Sequence, residues 1–119
     1  MKISGVMIGA NDVDTLAAFY TKVLGPSSFR DGDWYFWFNQ GAVMLGPHSD
    51  VKGKNPQPQR MMIMLEVDDV KATFDELKAA GAEVVAEPYR PQENEENFWL
   101  ATLADPEGNY FQLATPIEM

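Results

Sequence analysis

The chain contains no cysteine and only one histidine among its 119 residues. The absence of cysteine excludes disulfides, thiolate metal sites and cysteine nucleophiles, and a cytoplasmic location is the simplest inference. Basic residues are also few, since nine Lys and Arg stand against 18 Asp and Glu, for a net charge of −9. Such a surface repels phosphate backbones and anionic lipid. We therefore expect neither nucleic acid nor a membrane as a partner.

Long hydrophobic runs are missing as well. No stretch of about 18 apolar residues is present to span a bilayer, and the first apolar segment is too short for a signal peptide. The length and the 45% hydrophobic content fit one compact soluble domain.

Two stretches of the sequence are alike: residues 6–25 (VMIGANDVDTLAAFYTKVLG) and 63–81 (IMLEVDDVKATFDELKAAG). Each combines an apolar strand, an Asp-Val turn, an amphipathic helix and a closing glycine, which indicates an internal duplication. Between the copies the composition turns to Pro, Gly, Asn and Lys, which is typical of a linker. The sequence predicts one domain, residues 1–119, made of two βαβββ modules (about 1–47 and 60–117) joined by linker 48–59.

The predicted elements follow from apolar periodicity and turn residues. Asn11 or Asp12 caps the first helix and Asp68 or Asp69 the second, while Gly25 and Gly81 follow the helix ends. The expected strands are 3–9, 29–30, 34–38, 42–45, 61–67, 83–87, 98–104 and 110–114. The fold class is α+β, with tandem modules forming a curved mixed sheet around a cleft.

Side-chain alternation divides each sheet into two faces. One face packs against a helix and is aliphatic, and the other faces the cleft. The cleft set comprises Gly5, Met7, Gly9, Met62, Met64, Glu66, Tyr110, Gln112 and Ala114.

Paired βαβββ halves, with FYTKVLG closing the first helix and DPEGNYFQL near the end, resemble the vicinal oxygen chelate superfamily. This superfamily includes glyoxalase I, bleomycin resistance proteins and extradiol dioxygenases. The resemblance covers nearly the whole chain and implies the fold, but not one activity, because the superfamily hosts several chemistries. It also implies a homodimer.

Metal-dependent members of the superfamily place His or Glu on four inward strand positions. The resemblance puts Gly5, Met44 or Leu45, Met62 and Gln112 at these positions. Glycine, a thioether and an amide do not hold Mg, Mn, Fe, Ni or Zn ions strongly. We therefore expect no metal and no other cofactor.

Candidates for catalysis are few, so an enzymatic role is uncertain and disfavoured. Glu66, at the end of its strand, is a weak candidate for a base if it is desolvated. His48 begins the linker, where an exposed loop residue is favoured over one that touches a ligand or transfers a proton. Gln112 can orient a bound carbonyl or amide, or simply satisfy neighbouring backbone groups.

Aromatic and methionine side chains offer more for binding. Five consecutive aromatic residues, 34–38, make both faces of one strand aromatic, so either Trp34, Phe36 and Phe38 or Tyr35 and Trp37 look inward. Flexible thioethers and flat rings suit an adaptable apolar cleft, although plain core packing is an alternative. The predicted ligand-binding residues are Met7, Trp34, Trp37, Met44, Met62, Met64, Trp99, Tyr110 and Gln112.

Three functions remain open. The favoured one is a metal-free small-molecule-binding protein similar to bleomycin resistance proteins, which sequester a compound in clefts at a homodimer interface and confer antibiotic resistance. Its ligand is a small hydrophobic or aromatic molecule, and the acidic surface favours a cationic one. The alternatives are a glyoxalase-like lyase or isomerase or a dioxygenase, and a dimerising interaction domain without a ligand.

Overall fold

The computed structural model describes residues 1–39, 41–94 and 96–116. Within them the order βαβββ occurs twice, as the sequence predicts. The first copy comprises β1 (Val6–Ala10), α1 (Val13–Leu24), β2 (Phe29–Asp31), β3 (Trp34–Trp37) and β4 (Val43–Pro47). The second comprises β5 (Ile63–Glu66), α2 (Val70–Ala79), β6 (Glu83–Tyr89), β7 (Leu100–Ala104) and β8 (Tyr110–Ala114).

Each copy forms a four-stranded mixed sheet of the same topology. The strand orders are β1-β4-β3-β2 and β5-β8-β7-β6. In both sheets the strand before the helix pairs parallel with the last strand of the copy, and the other pairs are antiparallel. The fold is therefore mixed α+β, with two helices and two mixed sheets.

The chain divides into two compact units, one of residues Met1–Lys54 and one that begins at Asn55. The division falls inside the predicted linker 48–59. Asn55 belongs to the second unit because its N–H donates to the Glu107 carbonyl at 2.9 Å and its Nδ2 to Asn109 Oδ1 at 3.0 Å. That the units make up one domain stays a prediction.

Both helices begin at an aspartate that caps the first turn. Asp12 Oδ1 accepts from the Thr15 N–H at 3.2 Å, and Asp69 Oδ1 accepts from the Ala72 N–H at 3.1 Å. These bonds satisfy N–H groups that have no partner within the helix. The N-cap residues are thus Asp12 rather than Asn11, and Asp69 rather than Asp68.

The cap of α1 makes stability depend on pH. The Thr15 hydroxyl donates to Asp12 Oδ2 at 2.8 Å and, with the Thr15 N–H, lowers the pKa of Asp12 below its ordinary value. A pKa that is lower in the folded state contributes stability above the unfolded value of about 3.9, and this contribution is lost as pH falls through the folded value.

Asp12→Asn keeps a capping side chain but removes the charge. We expect urea titrations to give wild type a higher free energy of unfolding than Asp12→Asn at pH 7. This difference between the two proteins should shrink toward pH 3. An advantage that stays constant over this range would contradict the assignment.

The core of the first unit lies between α1 and one face of its sheet. Trp37 is its largest fully buried side chain, 1% exposed, and its Nε1 donates to the carbonyl of Gly25 at 2.9 Å, at the end of α1. The other buried apolar residues of this unit are Ile8, Ala10, Leu16, Ala17, Tyr20, Leu24, Val43 and Leu45. Burial of alternate strand residues confirms the predicted division into two faces.

The second unit repeats this arrangement with α2. Val70, Phe74 and Leu77 form the buried side of the helix, which contacts β6, β7 and β8. The strands contribute Leu103, Phe111 and Leu113 among the fully buried side chains. Two register shifts interrupt the β6–β7 pairing, between Val84 and Ala86 and between Ala86 and Tyr89.

The β7–β8 turn is built around one buried carboxylate. Asp105, 2% exposed, accepts through Oδ1 from the N–H groups of Glu107 and Asn109, at 2.8 and 3.0 Å. Its Oδ2 accepts from Asn109 Nδ2 at 2.9 Å. Gly108, at φ 79°, donates its N–H to the Asp105 carbonyl at 3.0 Å, so the predicted turn at 105–109 is confirmed.

Several strand bounds differ from prediction. The first strand starts at Val6 rather than residue 3, the fifth is shorter than 61–67, β6 extends to Tyr89, and β7 begins at Leu100. Ends of strands depend on pairing with a neighbour, which hydropathy does not encode. No helix in the described part of the chain is both long and apolar enough to cross a membrane.

Candidate functional site

The open face of the first sheet, opposite α1, carries a continuous row of large apolar side chains. Met7 lies beside Met44, Met44 opposite Phe36, and Phe36 opposite Phe29. We call these four residues the Met–Phe row. The Phe29 and Phe36 rings lie 5.6 Å apart between centroids, and Phe38 stacks on Phe36 at 5.9 Å. Met7 is 49% exposed and Phe38 59%, so this face offers accessible thioethers and rings.

A second row of the same face, which we call the glycine row, is built around two register partners, Gly9 and Gly46. The indole of Trp34 covers Gly46 so closely that a Cβ there would lie 2.2 Å from Trp34 Cδ2. Neither glycine has a positive φ, so space rather than backbone conformation restricts both positions. A Cβ on Gly46 would overlap the Trp34 ring, and a Cβ on Gly9 would crowd Val51 and His48. Trp34 therefore lies on the open face. Of the two alternatives for strand 34–38, the structure has the one that puts Trp34, Phe36 and Phe38 on the same side.

Trp37, which the sequence predicts as a ligand-binding residue, does not lie on the open face. Its indole is buried on the face that packs against α1, where it donates to the Gly25 carbonyl. Tyr35 points to the same side and stacks on Trp37 at 6.1 Å. Five consecutive aromatic residues give no parity signal, and for that reason both indoles were predicted as ligand contacts.

The open face of the second sheet is more polar. Met64, 51% exposed, lies beside Gln112, and Gln112 lies opposite Thr102. Gln112 Nε2 donates to Thr102 Oγ1 at 3.2 Å. By alternation Met62 and Tyr110 share this face, so the structure brings four of the predicted ligand-binding residues together there.

Trp99 lies on the other side of the second sheet. Lys71 Nζ, from the first turn of α2, sits 3.9 Å from the centroid of its ring in a cation–π contact. Trp99 also donates its N–H to Thr115 Oγ1 at 2.9 Å. The sequence predicts Trp99 as a ligand contact, but the structure places it away from the open face, because the residue precedes β7 and alternation puts it on the face of α2.

The positions at which metal-dependent relatives carry ligands do not supply a suitable donor set. Of the two candidates on the fourth strand, Met44 faces the open side, whereas Leu45 is completely buried against α1. The carbonyl oxygen of Ala42 lies 2.9 Å from where a Cβ on Gly5 would be, so the first position has no room for a coordinating side chain. Thioethers at Met44 and Met62 are soft ligands, and the Gln112 amide is neutral.

Across residues 1–39, 41–94 and 96–116, no group of three or more His, Cys, Asp and Glu side chains is placed to hold a metal ion. Hard and borderline divalent ions require several oxygen or imidazole donors. The residues at the four family positions do not fit such an ion.

The two titratable candidates differ in what surrounds them. Glu66 is exposed at the end of β5, next to Ala114, so it is not the desolvated base that the sequence allowed. His48 lies in an exposed turn after β4, and its Nδ1 accepts from the Asp50 N–H at 3.1 Å. Phe29 is a site residue that the sequence does not single out. The signal for it is the tight Asp31-Gly32-Asp33 turn, which makes Phe29 the register partner of Phe36.

A family model described as a glyoxalase-like domain matches residues 5–114. A protein of uncharacterised function from Mycolicibacterium smegmatis is 26% identical over 88 residues, which is 74% of this chain and 74% of that protein.

Two solved structures share the architecture. A glyoxalase/bleomycin resistance protein/dioxygenase family enzyme from Burkholderia phytofirmans superposes with a TM-score of 0.75 at 22% identity, covering 98% of this chain and 100% of the other. The genomically encoded fosfomycin resistance protein FosX from Listeria monocytogenes superposes with a TM-score of 0.75 at 15% identity, covering 98% and 94%. At these identities the structures support the fold alone. With the family model matching nearly its full length, this chain belongs to the glyoxalase-like domain family.

Proposed function

We propose that this protein binds a flat, apolar small molecule without a metal ion, in the manner of the bleomycin resistance proteins that its sequence resembles. The observation that carries the proposal is the Met–Phe row together with Phe38. Among these side chains Met7, Phe29 and Phe38 are 49%, 55% and 59% exposed, and apolar surface of this size is exposed to water at a cost unless it serves a contact.

The chemistry of the row suits an aromatic guest. Phenylalanine rings offer stacking partners, and methionine side chains adapt their shape to different guests. Aromatic pairs contribute about 0.5–1.5 kcal/mol beyond area burial. The net charge of −9 favours a cationic guest through long-range attraction and cation–π contacts.

The donor chemistry at the family's metal positions supports binding over metal-assisted catalysis. Gly5, Met44, Met62 and Gln112 cannot replace a set of imidazole and carboxylate ligands. Metal analysis of purified protein tests this directly. Stoichiometric Ni, Zn, Fe or Mn would favour the alternative of a lyase, isomerase or dioxygenase.

Compounds of the antibiotic type are the class to screen, given the resemblance to bleomycin resistance proteins and the fold shared with FosX. A second copy of the chain is the proposed protein partner. Sedimentation equilibrium tests the homodimer, and a monomer at every concentration would contradict it.

Isothermal titration with 1-methylnaphthalene and with its isosteric cation N-methylquinolinium tests the aromatic guest. We expect both to bind, the cation more tightly and with an advantage that decreases at high salt. Phe36→Ala removes the central ring of the row and should weaken both about fivefold. Ile3→Ala is the matched control, because Ile3 is an exposed apolar residue outside the sheet. If Phe36→Ala and Ile3→Ala bind the two aromatic compounds with equal affinity, the assignment of the site to the Met–Phe row is wrong.

A further inference from the structure

The turn that follows β4 folds back over the open face of the first sheet. The Val51 N–H donates to the His48 carbonyl at 3.0 Å, which closes the turn. A Cβ on Gly9 would lie 3.0 Å from Val51 Cγ2 and 3.1 Å from His48 Cβ. Since Gly9 and Met7 alternate to the same face, His48 stands over the glycine row on the side where the Met–Phe row is exposed.

The glycine row and the Met–Phe row are therefore covered to different extents. Trp34 covers Gly46, and the turn at 48–51 covers Gly9, whereas Met7 next along β1 is half exposed. Equivalent residues of the two rows are two positions apart on a strand, about 6.6 Å. This step is close to the width of one aromatic ring, so a flat guest on the Met–Phe row has Trp34 and His48 at its edge.

The hydrogen bond within the turn fixes which nitrogen of His48 donates. Nδ1 accepts from the Asp50 N–H at 3.1 Å, so in the neutral ring this network assigns the proton to Nε2. The exposed imidazole therefore presents an N–H donor at the edge of an apolar face. The side chains of the Met–Phe row itself offer no polar group.

We propose that His48 is a ligand-contacting residue whose Nε2–H donates to a hydrogen-bond acceptor at the edge of the flat guest. The guest class is thereby narrowed to fused aromatic compounds with a ring nitrogen, carbonyl or similar acceptor at one end. This inference rests on the proposed function. The glycines at 9 and 46 serve it by allowing the turn and the indole to lie close to the sheet.

Quinoline and naphthalene have the same shape and differ in one ring nitrogen, so they test the donor directly. The measured quantity is the naphthalene-to-quinoline ratio of dissociation constants, compared between wild type and His48→Phe. This comparison cancels differences in the hydration of the two probes. We expect the ratio to fall about three- to tenfold in His48→Phe, the effect of one hydrogen bond, with naphthalene affinity nearly unchanged. Ser49→Ala, an exposed residue of the same turn, is the control and should keep the wild-type ratio.

Gly9→Ala provides a second variant that keeps the imidazole but displaces the turn, because its Cβ would meet Val51 and His48. Gly9→Ala should therefore also lower the naphthalene-to-quinoline ratio of dissociation constants. A ratio that is equal in wild type, His48→Phe and Gly9→Ala overturns the role of His48 and leaves the proposed function standing. Failure of both probes to bind wild type overturns the proposed function and this inference with it.

Discussion

Trp37→Ala should reduce the free energy of unfolding by about 3–5 kcal/mol, which is the usual cost of truncating a large buried aromatic residue. Trp37 is 1% exposed, and its Nε1 satisfies the Gly25 carbonyl at the end of α1. The variant therefore loses core packing and also leaves a carbonyl without its donor. For a domain of this size such a loss takes up much of the total stability.

The neighbouring aromatic residue provides the matched control. Phe38 is 59% exposed, so Phe38→Ala should change the free energy of unfolding by less than about 1 kcal/mol. Urea titration followed by circular dichroism measures both. If the two variants are destabilised equally, the assignment of Trp37 to the helix face and Phe38 to the open face is wrong.

Asp105→Ala should cost about 3 kcal/mol, because it removes a buried acceptor for the N–H groups of Glu107 and Asn109 and for the Asn109 side chain. Donors left unsatisfied in a buried turn cost about 1–3 kcal/mol each. Asp105→Asn keeps Oδ1 but places an amide where Asn109 Nδ2 donates, so its loss should be smaller.

Pro106→Ala is the control for this turn, since Pro106 is exposed and its side chain accepts no hydrogen bond. Urea titration should rank the variants Asp105→Ala, Asp105→Asn and Pro106→Ala in decreasing order of damage. If Asp105→Ala is no worse than Pro106→Ala, the carboxylate does not hold the turn together.

The duplicated pattern was sufficient to predict the order of elements, both capping aspartates to within one residue, and the turn at 105–109. These features depend on local sequence, since a cap or a turn involves residues a few positions apart. The division of aliphatic residues between two faces was also predictable from alternation. The same alternation put Met7, Met64 and Gln112 on the open faces of their sheets, where the register pairs them with Met44, Gln112 and Thr102.

The candidate site was less predictable because it depends on contacts between distant strands. Alternation cannot orient residues 34–38, as every one of them is aromatic, and the orientation of Trp37 follows from a hydrogen bond to Gly25. The position of Trp99 involves a cation–π contact with Lys71 of α2, which lies far away in the sequence. The close approach of His48 to Gly9 depends on a turn whose composition indicated only a linker.

The outer strand of the second sheet has a consequence for how the protein behaves when concentrated. β6 forms an edge of that sheet, and its pairing with β7 is interrupted twice. Pro88 has no N–H to offer a further strand, and Glu83 and Glu87 bring charge to the same edge. A further strand cannot form a regular set of hydrogen bonds with β6, so this edge of the sheet is protected against edge-to-edge aggregation.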